Sequence, residues 1–473
     1  MLLSNARIGD DVVDISIVEG VIAEVTTEVG ALGGGGVDAG GRWLVPGLWD
    51  NHVHFSQWSL GRQRLDLAAA ASAREAAQLV QQHLRSDSPV PFVGSGFRDG
   101  LWPDTPSLAV LDAASGSHPV VLVSGDLHSA WLNSAALAKY GHAGHPTGLL
   151  REDDAFGVTT TIAQVPDDEL DSYALDASKA AAARGVVGIV DLEMSWNWGT
   201  WQRRQKHGND SLRVEIGVYR QHFDRAVDMG LRTGTRGGDL LAVGPLKLVT
   251  DGSLNTRTAY CYDPYPGTDD RGMLTIPPAE LMSLLELATG VGFAVAVHAI
   301  GDEANSLALD AFAATGARGT VEHAQLLAER DIPRFAALGV VASVQPEHAM
   351  DDRDVADHHW HGRTGRSFVL RSLLDAGATL ALGSDAPVAP LDPWVSIASA
   401  VGRARDGREA WHPEQGISFA EALDASTRST VAVGQPADLV LLDADPYTAT
   451  PDELRELPVA ATLLAGRFTH TTL

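Results

Sequence analysis

The chain has 473 residues, 45% of them hydrophobic, and a formal net charge of −26. It is long enough for more than one compact unit, and its acidic balance argues against a nucleic-acid partner, because phosphate binding needs a basic surface. A single cysteine, Cys261, rules out an internal disulfide framework, which favours a cytoplasmic location. We find no signal peptide and no membrane-spanning apolar stretch, so we predict no membrane partner. A homodimer is one assembly compatible with the sequence.

Both ends of the chain are strand-like. The segment Val12–Val18 partly alternates apolar and polar residues, and the stretches 437–442 and 459–468 have a similar character. Neither end is large enough to bury a core alone. We therefore predict that residues 1–44 and 430–473 pair into one small composite β-sandwich domain.

From residue 45 to residue 429 the pattern alternates between strand and helix. Most of the strand candidates are continuous β-branched, Leu or Ala runs, which is typical of buried parallel strands. Eight such units predict a (β/α)8 TIM barrel, with a layered sandwich of parallel strands as the alternative. The strand candidates are 44–48, 186–192, 213–219, 245–249, 293–298, 319–323, 340–345 and 379–383.

The connection after the first strand candidate is too long for an ordinary βα loop. It contains its own helical run at 72–84 and strand runs at 91–96 and 119–124. We interpret residues 57–175 as an inserted subdomain. Because the loops at the carboxyl ends of barrel strands build the active site, we expect this insertion to lie over that site and shape its pocket.

Metal-ligand side chains lie at the ends of five of the predicted strands. A His-x-His pair directly after a strand places two imidazoles on one face of extended backbone. Polar residues at the ends of buried apolar strands are costly unless they are paired, so five occurrences at one end of a barrel indicate a metal centre rather than separate core residues. The residues are His52, His54, Lys247, His298, His323 and Asp385.

Lys247 is the unusual member of this set. An ammonium group cannot ligate a cation, but an amine that has reacted with carbon dioxide becomes a carbamate, which can bridge two metals. The alternative is an ordinary lysine that is neutral in the barrel or paired with a carboxylate.

These motifs resemble those of the amidohydrolase superfamily. Within it, they are similar to the YtcJ-like group that includes N-substituted formamide deformylases, and the resemblance extends over nearly the whole chain. Besides His52-Val53-His54 and Lys247, it rests on Asp126-Leu127-His128-Ser129-Ala130-Trp131-Leu132-Asn133-Ser134, Asp251-Gly252-Ser253-Leu254-Asn255-Thr256-Arg257-Thr258-Ala259, His298-Ala299-Ile300-Gly301-Asp302, Val321-Glu322-His323-Ala324-Gln325 and Gly383-Ser384-Asp385-Ala386-Pro387-Val388.

The resemblance implies a binuclear metal site. It assigns His52, His54 and Asp385 to one ion and His298 and His323 to a second, with a lysine carbamate between the two ions. Zinc is the ion that this ligand set suits first, and iron, manganese and cobalt stay open. Asp385 is then expected to take a proton from water and pass it to the leaving nitrogen.

We therefore predict a metal-dependent hydrolase of C–N bonds in small non-peptide amides, of the N-substituted formamide, N-acyl amine or carbamate type. The alternatives are a mononuclear deaminase of an amino-heterocycle, in which Lys247 is an ordinary lysine, and a barrel scaffold without catalysis. His128 is a second catalytic candidate because it lies within a motif of the subgroup. Candidates for substrate contact are Arg151, Trp196, Arg257 and Gln345.

Overall fold

The structure is a computed structural model that describes residues 1–28, 30 and 36–473. The chain divides into two compact units, one made of Met1–Phe55 with Ser178–Leu473 and the other of Ser56–Ala177. Among the described residues, no helix is both long enough and apolar enough to cross a membrane.

The first 61 residues are mostly extended, with one short helix at the end. Their elements are β1 (Leu2–Ile8), β2 (Asp11–Val18), β3 (Val21–Thr26), β4 (Val37–Asp38), β5 (Trp43–Pro46), β6 (Leu48–Val53) and α1 (Phe55–Gly61).

The next segment contains a five-stranded sheet and four helices. Its strands are ordered β11-β10-β9-β8-β7. The elements are β7 (Leu65–Asp66), α2 (Ala73–His83), β8 (Phe92–Phe97), α3 (Leu108–Ser115), β9 (Val120–Ser124), β10 (Ser129–Leu132), α4 (Ser134–Lys139), β11 (Leu149–Arg151) and α5 (Glu152–Ile162).

Strands and helices alternate through the following 260 or so residues, after a 16-residue helix. The elements are α6 (Asp167–Ala182), β12 (Val186–Asp191), α7 (Asn197–Lys206), β13 (Arg213–Tyr219), α8 (Phe223–Asp228), β14 (Leu241–Val249), α9 (Pro278–Gly290), β15 (Val295–Ala299), α10 (Asp302–Thr315), β16 (Gly319–His323), α11 (Ile332–Leu338), β17 (Val341–Val344), α12 (Pro346–His359), α13 (Leu370–Asp375), β18 (Leu380–Leu382), α14 (Pro393–Gly402) and α15 (Phe419–Asp424). The chain ends with β19 (Leu439–Leu442), α16 (Pro451–Arg455), β20 (Val459–Leu464) and β21 (Arg467–Thr471).

Eight parallel strands form a nearly closed barrel. Their order is β6-β12-β13-β14-β15-β16-β17-β18, which follows the chain. A bridge between Val53 and Ala386, with His54 N donating to Ala386 O at 2.8 Å, brings the last strand back to the first. Every residue of β12 is buried, as expected of a parallel strand covered on both faces. The predicted (β/α)8 barrel is confirmed.

Strands from both termini form a second, separate sheet. Its order is β21-β20-β19-β5-β1-β2-β3, and β4 pairs with β1. Its apolar core draws on both ends of the chain, with Leu3 and Ile15 packed in the same cluster as Leu439 and Leu463. Neither terminal segment could bury these side chains without the other, which is the reason given above for pairing them.

The first barrel strand differs from the predicted range of residues 44–48. Residues 43–46 instead form β5, which pairs antiparallel with β19 in the terminal sheet. The barrel strand begins only at Leu48, after Gly47. A Cβ on Gly47 would lie 2.5 Å from the side chain of Val187, so this crossing point requires glycine. One continuous apolar run therefore serves two sheets, and periodicity alone does not reveal the break.

Candidate metal centre

The six predicted ligands lie at the carboxyl ends of five barrel strands. His52 lies in β6 and His54 follows it, and Lys247, His298 and His323 lie in β14, β15 and β16. Asp385 follows β18 by three residues. Because all strands of a parallel barrel end on the same face, these side chains meet there. The distances between their atoms show which of these side chains form close groups.

His52, His54 and Asp385 form one close group. Asp385 Oδ1 lies 3.4 Å from His52 Nε2 and 3.3 Å from His54 Nε2. Asp385 has a left-handed backbone with φ of 58°, and its N–H donates to His52 O at 2.7 Å. Non-glycine residues rarely adopt this conformation, and such residues cluster at functional sites. The fold thus holds the carboxylate against the two imidazoles.

His323, His348 and Asp385 form a second close group. One ligand atom from each lies within 4.8 Å of the others. His348, in the first turn of α12, was not predicted from the sequence. The signal that could have found it is its place just after the seventh strand, in Gln345-Pro346-Glu347-His348.

His298 lies beside this second group. Its ring centroid is 4.4 Å from that of His323, in an edge-to-face arrangement. Its Nε2 lies 3.5 Å from both Gly252 O and Asp251 Oδ1. Asp251 is itself held by backbone N–H groups, including those of Ile300 at 3.0 Å and Gly301 at 2.9 Å. The predicted ligands His298 and His323 are therefore neighbours.

Two further polar side chains orient the imidazoles. Glu322 Oε2 lies 2.7 Å from His52 Nδ1, and Gln345 Oε1 lies 2.8 Å from His323 Nδ1. An imidazole that donates through Nδ1 keeps the lone pair of Nε2 for a cation, a common arrangement around metal ligands. Gln345, which was predicted to contact substrate, thus contacts His323. Glu322, which was not among the predicted site residues, orients His52.

Burial determines the charge state of the centre. Desolvation lowers the pKa of His298 to about 3 and holds that of His323 well below its ordinary value. Burial alone would raise the pKa of Asp385, but the imidazoles of His52, His54 and His323 hold it well below its usual range. At neutral pH the centre thus offers neutral imidazoles at His52, His298 and His323 and an ionised carboxylate at Asp385, which is donor chemistry that suits a divalent cation. Burial lowers the pKa of His54, but the hydrogen bond and charge of Asp385 outweigh burial and raise that pKa.

Lys247 is buried at the same end of the barrel. The residue is 2% exposed, and its Nζ has no hydrogen-bond partner among the described residues. Desolvation lowers the pKa of Lys247, with Glu322 and Asp385 acting in the opposite direction. An uncharged amine is the form that reacts with carbon dioxide, so the environment of Lys247 is compatible with a carbamate.

The other predicted site residues have varied surroundings. Arg257 is exposed and has a left-handed backbone, and Trp196 is half-buried with the guanidinium of Arg225 4.2 Å from its ring centroid. His128 and Arg151 belong to the Ser56–Ala177 unit, where His128 Nδ1 lies 3.0 Å from Glu152 Oε2. Their roles toward substrate stay predictions.

Three other tryptophans, Trp198, Trp201 and Trp360, belong to the core, unlike the half-buried Trp196. Trp201 is fully buried and donates its indole N–H to Asp191 Oδ2 at 2.6 Å. Trp198 is 5% exposed, and Trp360 is buried among the apolar side chains around Tyr265. Of these four tryptophans, Trp196 is the one that is not fully buried.

The chain is similar to known proteins over nearly its whole length. A family described as "Amidohydrolase family" matches residues 35–470. The chain is 31% identical to Protein LONG AFTER FAR-RED 3 of Arabidopsis thaliana, over 94% of this chain and 86% of that protein. It is 26% identical to N-substituted formamide deformylase of Arthrobacter pascens, over 94% of this chain and 93% of that protein.

A solved structure shows the same architecture. It is that of an uncharacterized metal-dependent hydrolase from Pyrococcus horikoshii OT3, with a TM-score of 0.79 and 25% identity. The similarity covers 95% of this chain and 99% of that one, so it includes both the barrel and the terminal sheet.

Proposed function

This chain belongs to the amidohydrolase family and is a metal-dependent hydrolase, and from that premise we propose that it hydrolyses the C–N bond of small non-peptide amides. The family match confirms the resemblance found in the strand-end motifs. It also supports a hydrolase over the alternative of a barrel scaffold without catalysis. The proposed substrates are N-substituted formamides, N-acyl amines or carbamate-type compounds.

One observation favours a binuclear amide hydrolase over a mononuclear deaminase. Two donor groups share the carboxylate of Asp385, with His52 and His54 on one side and His323 and His348 on the other. Two groups favour the binuclear reading over the mononuclear deaminase, which needs only one. The similarity to a deformylase of N-substituted formamides over 94% of the chain supports amide bonds as the class.

The ligands divide between two proposed cations, for which zinc is the first candidate. His52, His54 and Asp385 would hold one ion, and His298 and His323 the other, with a carbamate on Lys247 as a shared ligand. When bound, such cations act as Lewis acids and lower the pKa of water from 15.7 toward about 7.

The residues of the chain then act as acid, base and positioning groups. In the overall reaction, water adds its oxygen to the acyl carbon, the C–N bond breaks, and the products are a carboxylic acid and an amine. We assign Asp385 to accept the proton of the attacking water and to deliver it to the leaving nitrogen. Glu322 and Gln345 hold the rings of His52 and His323 through their Nδ1 atoms.

A substrate screen with the metal-loaded full chain tests the proposal. The panel contains N-alkyl and N-benzyl formamides, N-acyl amines, carbamates, lactams and aminopurines, and the readouts are released amine, carboxylate and ammonia. We expect turnover of one amide-type class with stoichiometric amine release, and loss of that turnover in Asp385→Asn. Turnover confined to the aminopurines, with ammonia released, would show a deaminase instead.

A further inference from the structure

His348 is a buried histidine at the metal centre that lies outside the six-ligand set. It is the third residue of α12 and is 5% exposed. Its Nε2 is buried and has no hydrogen-bond partner among the described residues. Buried polar atoms are normally paired, so an unpaired imidazole nitrogen at this position indicates a missing partner.

The neighbouring atoms show where that partner would lie. His348 Nε2 faces Asp385 Oδ2 at 4.0 Å, which is too long for a hydrogen bond. The ring of His348 lies nearly parallel to that of His323, with an interplanar angle of 15° and 6.2 Å between centroids. One ligand atom each from His323, His348 and Asp385 lies within 4.8 Å of the other two. The three donor atoms are therefore close enough to one another to bind a single cation.

The two oxygens of Asp385 separate the two donor groups. Oδ1 lies near Nε2 of His52 and of His54, whereas Oδ2 is the oxygen that faces His348. A carboxylate used in this way can serve two cations, one through each oxygen. Two imidazoles and a carboxylate are also the number and type of protein ligands found at many catalytic zinc sites.

We infer that His348 is a direct metal ligand, which completes a three-donor cation site with His323 and Asp385. This inference rests on one part of the proposed function, namely that divalent cations bind at the centre, and it does not depend on the substrate. It adds a further imidazole to the cation assigned to His298 and His323, so this cation depends less on carboxylation of Lys247.

Metal binding by His348→Asn tests the inference. Asparagine keeps a polar side chain of smaller size, and His348→Ala provides a second variant without polar atoms. His358→Asn is the matched control, because His358 is exposed near the end of the same helix. The readouts are zinc per chain by elemental analysis, zinc affinity by competition with a chelator, and the visible spectrum of the cobalt-loaded full chain.

We expect both His348 variants to lose one cation, or to bind their weaker cation at least roughly tenfold less tightly, since changes in groups that only orient ligands already cost roughly 10–100-fold. The cobalt spectrum should change as a nitrogen donor is lost, and His358→Asn should match the wild type. Circular dichroism of the metal-free variants checks that they fold.

Unchanged zinc content, zinc affinity and cobalt spectrum in a folded His348→Asn would overturn the inference, even if turnover fell. The substrate proposal can fail separately, because metal loss in His348→Asn with no turnover on any amide would leave the ligand assignment standing. If the wild type binds only one cation, a lower affinity for that cation in His348→Asn supports the inference, and an unchanged affinity overturns it.

Discussion

Replacement of Glu322 by Gln is expected to weaken metal binding by roughly tenfold. The Oε2 atom of Glu322 lies 2.7 Å from His52 Nδ1, and both side chains are almost fully buried. Burial raises the pKa of Glu322, but its hydrogen bond with His52 outweighs burial and the pKa falls to about 2, so the acceptor is a carboxylate. A hydrogen bond to a charged group contributes about 1.5–3 kcal/mol, against about 0.5–1.5 kcal/mol for a neutral one.

Glutamine keeps a neutral acceptor of nearly the same shape, so the loss is about 1–2 kcal/mol, which is roughly tenfold in affinity. This lies at the lower end of the range of roughly 10–100-fold for groups that orient metal ligands. The assay is a zinc titration against a competing chelator, with kcat/KM measured in parallel. Glu280→Gln is the matched control, because the Glu280 carboxylate is exposed and pairs with Arg220 on the surface. Equal zinc affinity in Glu322→Gln, Glu280→Gln and wild type would refute the reasoning.

Three further results are expected. Elemental analysis of protein from metal-supplemented cells should return about two divalent ions per chain, and one ion or fewer would contradict the binuclear site. A chelator should abolish turnover and lower Tm, because a ligand that binds only the folded state stabilises it by about 2.7 kcal/mol at a concentration of 100 times Kd. Lys247→Ala should abolish turnover, with partial rescue by a short carboxylic acid, whereas full activity without added acid would make Lys247 structural. Leu285→Ala should destabilise the fold by about 2–5 kcal/mol in thermal unfolding, because Leu285 is fully buried in α9. Leu287→Ala, on the exposed face of the same helix, should change stability by less than about 0.5 kcal/mol. Equal effects of the two substitutions would contradict the burial of Leu285.

The sequence determined the barrel and the composition of its candidate ligand set. Seven of the eight barrel strands lie within a few residues of their predicted positions, because buried parallel strands are continuous apolar runs that a local pattern can identify. The ends of such strands all lie on one face of a barrel, so the histidines, Lys247 and Asp385 could be grouped without any knowledge of distances.

The tertiary structure decided what depends on contacts between segments remote in the chain. Strand alternation would place Glu322 and His323 on opposite faces, yet both lie near the ring of His52, and a left-handed backbone at His323, with φ of 75°, makes this arrangement possible. The approach of His348 to Asp385 joins the start of α12 to the loop after β18. Local periodicity fixes each element, whereas the distance between two side chains on different elements is set by packing of the whole barrel.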